Sequence, residues 1–447
     1  MAKVERTLAD QIYGYLAEDE DARVCKDIPE SACDEQPESF TYQLLALTLT
    51  KFGDALVSAR LVLAWMLAAL GSPAIFIALL VPLRESLALL PQLFVAQVMR
   101  ERPVRKWFWV IGSIGQAVAL AAMLPAVLTL DGFAAGATIT GLLVVFSLSR
   151  GICSVAAKDV LGKTISKTRR GRLTGAAASA AGFITLLVAA VLLAGPYLES
   201  ATGFVVPQDR RLFAMILGTS ALLWFFAAAA YARIPEVPGA TEGGGNAITE
   251  AIRSLSLLRE DQQFRRFVIA RALLVSSAFA IPYIVVLIQR AGNGSVTDLG
   301  ALLLANGAAA LLSGPLWGRW SDAGSERVMA AAAAISVAVM LATLAIHHFA
   351  TELLGNAIVA GLVLFAAAVA HQGARVGRKT YLVDMATTET RAQYTAVSNT
   401  VIGIFLLAGA GLGVIDAWLG TTAVLWFLAA VGVIAVIRSL SLPRVSD

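Results

Sequence analysis

The chain has 447 residues, 58% of them hydrophobic and only 15% charged, with 35 Lys and Arg against 31 Asp and Glu. Its mean hydropathy is +0.74, whereas soluble domains are roughly 45–50% apolar and about 25% charged. These figures exclude a soluble enzyme, a disordered chain and a fibrous one, and a net charge of +4 is too small to suggest nucleic acid as a partner. The composition predicts a polytopic membrane protein.

The first forty residues are polar and acidic, the reverse of a basic then apolar secretory signal, so no leader is expected. Residues 1–41 read as an acidic cytoplasmic tail. Within it Leu8, Ile12, Tyr15 and Leu16 recur at helical spacing and predict a short surface helix. Cys25 and Cys33 stand among Asp27, Glu30 and Asp34, an arrangement open to metal binding or redox sensing. Their spacing fits no zinc motif, so a flexible, reduced tail without metal is the expectation. With Cys153 the only other cysteine, no disulfide framework is implied.

A bilayer core of about 30 Å takes about 20 apolar residues per helix. Twelve such windows follow the tail: 45–71, 74–99, 107–129, 137–157, 174–195, 211–232, 267–290, 298–317, 328–347, 357–377, 393–415 and 421–438. Lipid offers backbone groups no partners, so each is expected to be a helix. Arg and Lys concentrate in alternate loops, around 100–106, 158–172, 319–327 and 378–391. By the positive-inside bias those loops and both termini are cytoplasmic.

Several spans carry ionisable groups, which cost about 2.5–3.5 kcal/mol each at mid-helix on insertion scales. Asp54 and Arg60 lie in the first span, Arg84 and Glu85 in the second. In the fourth, Ser147, Arg150, Ser154 and Lys158 form one polar stripe; in the tenth, His371, Arg375 and Arg378 form another. Arg60 and Arg150 admit two readings. One is a positive cavity gripping an anionic or zwitterionic group in bidentate fashion; the other is a salt-bridge network, Arg84 or Arg60 with Glu85 or Asp54, that fixes helix register. For Arg84 the network is favoured, and Arg375, Arg378 and Lys379 read as snorkelling toward the cytoplasm. Glu85, beside Arg84, and Asp54 are the deep carboxylates available for proton coupling, and His371 is a further titratable group.

Shifting the sequence by 221 residues places Lys158 on Lys379, Arg170 on Arg391, Gly71 on Gly292, Glu101 on Asp322 and Arg150 on His371. Six helices followed by six in the same orientation make a parallel repeat. Between them, residues 233–266 read as a cytoplasmic linker with Pro235, Pro238 and a short amphipathic helix through Ile252, Leu255 and Leu258.

The segment Gly318-Arg-Trp-Ser-Asp322-Ala-Gly324-Ser-Glu-Arg327 resembles the signature loop of the major facilitator superfamily. The matching stretch of the first half keeps Glu101 and its basic cluster but lacks both glycines and has Pro103 in place of one. The resemblance covers about residues 42–440. It implies an all-α membrane protein of twelve transmembrane helices in two six-helix bundles, related by a parallel pseudo-two-fold repeat. The expected bundles are 42–232 and 267–440, followed by a cytoplasmic tail, 441–447. It implies alternating access, with spans one, four, seven and ten lining the cavity, and Glu101, Gly318, Asp322, Gly324 and Arg327 forming a gate. Span eleven adds Asn399 to that cavity. The glycine- and proline-rich span five of drug–proton antiporters is not matched by Thr174 to Pro196. A nucleotide-binding loop is not seen either.

The sequence therefore predicts a monomeric secondary transporter of the inner membrane, not an enzyme and without a cofactor. It is expected to move a small anionic or amphipathic solute, coupled to protons through Glu85 or Asp54, with Arg84 beside them. Arg60, Arg150, Ser147, Ser154, His371 and Asn399 are the expected substrate contacts. The alternatives are a flippase for lipid-linked head groups, or a non-transporting receptor or assembly factor that recruits partners through its acidic tail.

Overall fold

The structure is a computed structural model that describes residues 8–17, 28–203, 205, 207, 209–239, 255–292, 294–387 and 390–445. Among these residues every regular element is helical. A short α1 (Leu8–Ala17) and α2 (Glu30–Asp34) precede α3 (Gln36–Leu56), α4 (Val62–Ala69), α5 (Ala74–Ser86) and α6 (Gln92–Arg100). Then come α7 (Lys106–Thr129), α8 (Gly132–Thr164), α9 (Lys167–Leu193), α10 (Gly195–Thr202) and α11 (Arg210–Ala232). After the linker come α12 (Leu257–Glu260), α13 (Gln262–Leu273), α14 (Ser276–Ala291), α15 (Val296–Phe349) and α16 (Thr351–Leu354). The chain ends with α17 (Ala357–Met385), α18 (Arg391–Ala408), α19 (Leu412–Leu419) and α20 (Thr421–Leu440).

Helix starts follow side-chain capping. Asp209, Asp261 and Asn356 each accept from backbone N–H groups of the first turn, and Ser295 with Asp298 forms a reciprocal capping box. Gly324, with extended φ 173° and ψ 90°, divides α15 into two membrane-length arms, Thr297–Ser321 and Ala323–Phe349.

Among the described residues, ten helices are long and apolar enough to cross a membrane. The first two predicted spans, 45–71 and 74–99, are instead interrupted. α3 stops at Leu56 and the chain turns through 57–61 before α4; α5 stops at Ser86 and turns through 87–91 before α6. The second break has a local cause, since Pro91 disfavours helix at Leu90 and Pro82 has already removed one hydrogen bond. The first contains neither Gly nor Pro. There the Ser58 carbonyl accepts from the N–H groups of Leu61 and Leu63, at 3.3 and 3.0 Å. Irregular backbone at membrane depth is tolerated where protein covers it, and Val57 and Leu61 are buried.

Helix contacts fall into two sets. α3 packs with α9 and α11, and α7 with α8 and α11; in the second half α15 packs with α17 and α20, and α14 with α17 and α20. Three seams join them: α9 on α15, α5 on α18 and α19, and α4 on α14. Two glycines make the first two seams possible. A Cβ on Gly300 would lie 2.7 Å from the Leu193 nitrogen, and one on Gly413 would lie 2.6 Å from the Ile75 side chain. At the α4–α14 seam the Gln289 amide donates to the Trp65 carbonyl at 3.1 Å.

The amino-terminal region differs from its expectation in two ways. Residues 36–41, assigned by sequence to the tail, are the first turns of α3, because Phe40 is fully buried and takes Tyr13 of α1 edge-on at 5.4 Å. Cys33 is disulfide-bonded rather than reduced, and Cys153 is a buried free thiol. Cys25 and Asp27, named with Cys33 as metal or redox candidates, lie outside the described residues, as does Ile252 of the expected linker helix.

Candidate functional site

The two interrupted helices bring the deep charges together. Arg60 sits in the turn between α3 and α4, and its Nη2 donates to Glu85 Oε1 near the end of α5 at 2.6 Å. Asp54 Oδ1 on α3 accepts from Arg84 Nη2 on α5 and from Arg150 Nη1 on α8, both at 2.6 Å. Arg84 is buried, with its guanidinium carbon 4.1 Å from the centre of the Phe146 ring. Arg60, Arg84 and Arg150 of the first half thus each have a carboxylate partner.

The second half is arranged otherwise. Arg271 on α13 is buried and donates to Ser398 Oγ at 2.5 Å and Asn399 Oδ1 at 2.8 Å, both on α18 and both neutral. Sequence reasoning passed over Arg271, although an Arg one turn inside an apolar window is the signal that singled out Arg60. His371 on α17 is buried, with Nδ1 3.5 Å from Ser277 Oγ and Nε2 without a partner.

Two small cavities meet these groups. The first, of about 100 Å³, is bounded by Arg60 and Glu85 from the first half and by Arg271, His371, Arg375 and Arg378 from the second. Its remaining wall is apolar apart from Ser277, and includes Leu89, Leu274, Ile402 and Leu406. The second, of about 220 Å³, lies within the first half against Lys51, Asp54, Arg150, Cys153 and Ser154. A roomier cleft, about 1100 Å³ between α1, α3 and α9, shares no lining residue with either.

The expected substrate contacts are therefore dispersed. Arg60 and His371 border the first cavity, Arg150 and Ser154 the second, and Asn399 orients Arg271. Ser147 borders neither: it is fully buried and donates to the Leu143 carbonyl of its own helix. Arg375 and Arg378, read as snorkelling, line the first cavity.

The expected gate is only partly built. Glu101 ends α6, is exposed and has no ion pair among the described residues. Arg327 is largely exposed, 3.8 Å from its neighbour Glu326. A Cβ on Gly318 would meet open space, so no close approach requires glycine there, while Gly324 supplies the break in α15. The Asp322 side chain lies outside the described set.

A second ionic knot, which the sequence reading missed, ties the linker to the basic loop of the first half. Arg105 Nη1 reaches Asp159 at 2.5 Å, and Lys163 bridges Asp159 at 2.8 Å and Glu236 at 3.1 Å. Glu236, with a fully buried side chain, also accepts from the N–H groups of Arg105 and Lys106 at the start of α7. A carboxylate at a helix N-terminus is stabilised there by exposed donors and the helix dipole.

No protein-family model matches the sequence, and a search of curated proteins finds no match. Solved structures do match. A POT family transporter in complex with 5-aminolevulinic acid superposes with a TM-score of 0.68 at 9% identity, over 90% of this chain and 94% of that one. A D-xylose–proton symporter gives 0.65 at 14% identity, over 92% and 98%. The inward-open xylose transporter XylE from E. coli gives 0.62 at 12%, over 91% and 96%. These proteins are transporters rather than enzymes, built on the major facilitator fold. The present chain has that fold and is a multi-pass membrane protein.

Proposed function

We propose that the chain is a secondary transporter that moves a small anionic or amphipathic solute by alternating access. The helices of 42–232 and 267–440 are the two rocking units, and 233–266 is the cytoplasmic connection. The observation that carries this reading is the charged cavity between them, to which both halves contribute side chains at bilayer depth. Such groups are retained inside membranes chiefly along pathways for polar solutes. The structural neighbours named above, a POT family transporter and two xylose transporters, support the same mechanism.

With both termini cytoplasmic, the α4–α14 seam lies on the outer side and is shut. The opposite end, flanked by exposed Lys158 and Lys379, is the cytoplasmic entrance. Glu85 and Asp54 are the proton-coupling candidates, each able to exchange an arginine for a proton as the units rock. The protein acts as a monomer in the inner membrane.

Flux in proteoliposomes, with and without a pH gradient, tests this. Candidate anionic solutes are expected to accumulate in vesicles of the parent protein, faster when a proton gradient is imposed. Arg60→Ala and Arg150→Ala are each expected to reduce flux at least tenfold. A chain that stays folded yet moves no solute in either direction would instead act as a receptor.

A further inference from the structure

We propose that the cavity of Arg271, Arg375 and Arg378 is a binding site for a doubly charged oxyanion group, a phosphomonoester or its equivalent, and that Glu85 occupies Arg60 until such an anion enters. The proposal rests on the transport reading in taking this cavity as the solute site, and it names the class of solute.

The charge inventory is the first argument. Four guanidiniums and one carboxylate border the cavity. Glu85 is used by Arg60. Arg271 has only the neutral oxygens of Ser398 and Asn399, and its buried Nε has no partner. Among the described residues Arg375 and Arg378 make no hydrogen bond and no ion pair, and Arg375 is exposed to solvent. For the buried Arg271 and the half-buried Arg378, charge without a counterion at low dielectric is costly, while the exposed Arg375 adds a further unpartnered positive charge. In the first half the same cost is met by internal carboxylates. Here the compensating charge is left for a ligand to supply.

Hydrogen-bond character is the second argument. The cavity offers guanidinium N–H groups from four residues and, as acceptors, little beyond Glu85, the Ser277 hydroxyl and the His371 ring. A neutral sugar presents as many donors as acceptors and would leave its hydroxyl hydrogens unmatched. A phosphate presents only acceptors around a tetrahedron, which the planar forks of several arginines can share. A monocarboxylate offers two oxygens and one charge, too few for three free cations.

Size is the third. A volume of about 100 Å³ takes an oxyanion head group but little more. The rest of the ligand lies along the apolar wall of Leu89, Leu274, Ile402 and Leu406, or toward the open end. Either a soluble phosphomonoester or the head group of an anionic lipid supplies this chemistry.

Binding to the purified full-length chain, by calorimetry and by thermal unfolding in nanodiscs, tests the proposal without requiring transport. The probes are inorganic phosphate, a short alkyl phosphomonoester, succinate, acetate and xylose, in nanodiscs with and without phosphatidic acid. Phosphate or the phosphomonoester is expected to bind at least tenfold more tightly than acetate, with succinate between them and no xylose binding. If the site prefers the lipid, raised stability in phosphatidic acid that is lost in Arg375→Gln takes the place of soluble binding. Arg375→Gln removes an exposed, unpartnered side chain, so it should fold normally and weaken dianion binding at least tenfold. Glu85→Gln, which removes the internal competitor for Arg60, should tighten it severalfold.

The proposal is overturned if neither phosphate probe, succinate nor phosphatidic acid affects the parent at millimolar level, or if Arg375→Gln responds as the parent does. Dianion binding without flux in proteoliposomes leaves this site standing and removes the transport reading. Flux of an uncharged solute without dianion binding does the reverse.

Discussion

The two halves of the molecule handle buried charge in opposite ways. In the first, Arg84 and Arg150 share Asp54, and Arg60 takes Glu85, so every deep cation has an anion within 2.6 Å. In the second, Arg271 rests on neutral oxygens, and Arg375 and Arg378 have no partner among the described residues. A paired charge fixes the helices that carry it. An unpaired one facing a cavity leaves the structure short of an anion, and that shortage is a statement about what enters.

The sharpest way to break this contrast is to remove the shared carboxylate. Asp54→Ala strands two guanidiniums at once, and losing one partner of a buried pair costs about 3–5 kcal/mol. The variant is expected to express poorly or to melt far below the parent in detergent. Arg375→Gln, removing a charge with nothing to lose, is expected to melt at or slightly above it. Equal losses in the two variants would erase the distinction between paired and unpaired cations.

A middle-sized effect is expected at the linker. Glu236→Gln keeps the shape of the side chain but withdraws charge from Lys163 and from the first N–H groups of α7. Hydrogen bonds to a charged group are worth about 1.5–3 kcal/mol, partly retained by the amide. Proteolysis of the linker is the suitable readout, with faster cleavage between 233 and 266 in the variant. An unchanged cleavage rate would mean that the knot is surface decoration.

Much of this was legible from the residues. Composition and windows gave the membrane class, the Gly318–Arg327 loop gave the fold, and the bilayer-depth charges gave the members of the first-half network. Three things were hidden, each for a physical reason. The break at 57–61 has no Gly or Pro to mark it and is held by burial of Val57 and Leu61 among other helices. The pairing of Arg84 with Asp54 and Arg60 with Glu85 crosses between helices, so helical periodicity along one chain segment cannot choose it. Asp159 and Glu236 are ordinary loop-flanking acids until folding brings them to Arg105 and Lys163. Ser147 shows the converse error. Its place on the polar stripe with Arg150 was right, yet a stripe on a helix follows its twist, and three residues are enough to carry a side chain from cavity wall into packed interior.

The smallest expected effect concerns Asp261, an acid of the second half held at the start of α13 rather than within the cavity. Asp261 caps that helix through Phe264 N–H at 2.9 Å and accepts from the Tyr394 hydroxyl on α18. Burial pushes its carboxyl up, but the Tyr394 hydrogen bond and the backbone donors outweigh this and hold it below the usual carboxylate range. A depressed acid stabilises the fold above its unfolded pKa, about 3.9, and that contribution is lost as pH falls through the lower folded value. Tyr394→Phe removes the principal donor, so the carboxyl should move back toward its ordinary value. Asp261 is only partly buried, so screening limits the loss near neutral pH to about 0.5–1 kcal/mol. The loss should begin to shrink below pH 4, where the unfolded chains and the variant's carboxyl protonate, and should vanish only as pH falls through the parent's lower folded value. Melting curves of parent and variant from pH 3.5 to 7 measure it. A gap that stays constant across that range would assign the effect to packing of the ring on Phe264, 4.4 Å away between centroids, and not to the charge. Because α13 and α18 also meet through Arg271, Ser398 and Asn399, a charge-dependent gap would mean that the second half fixes this helix pair from both ends, so that Arg271 is held in place to answer an incoming anion with Arg375 and Arg378.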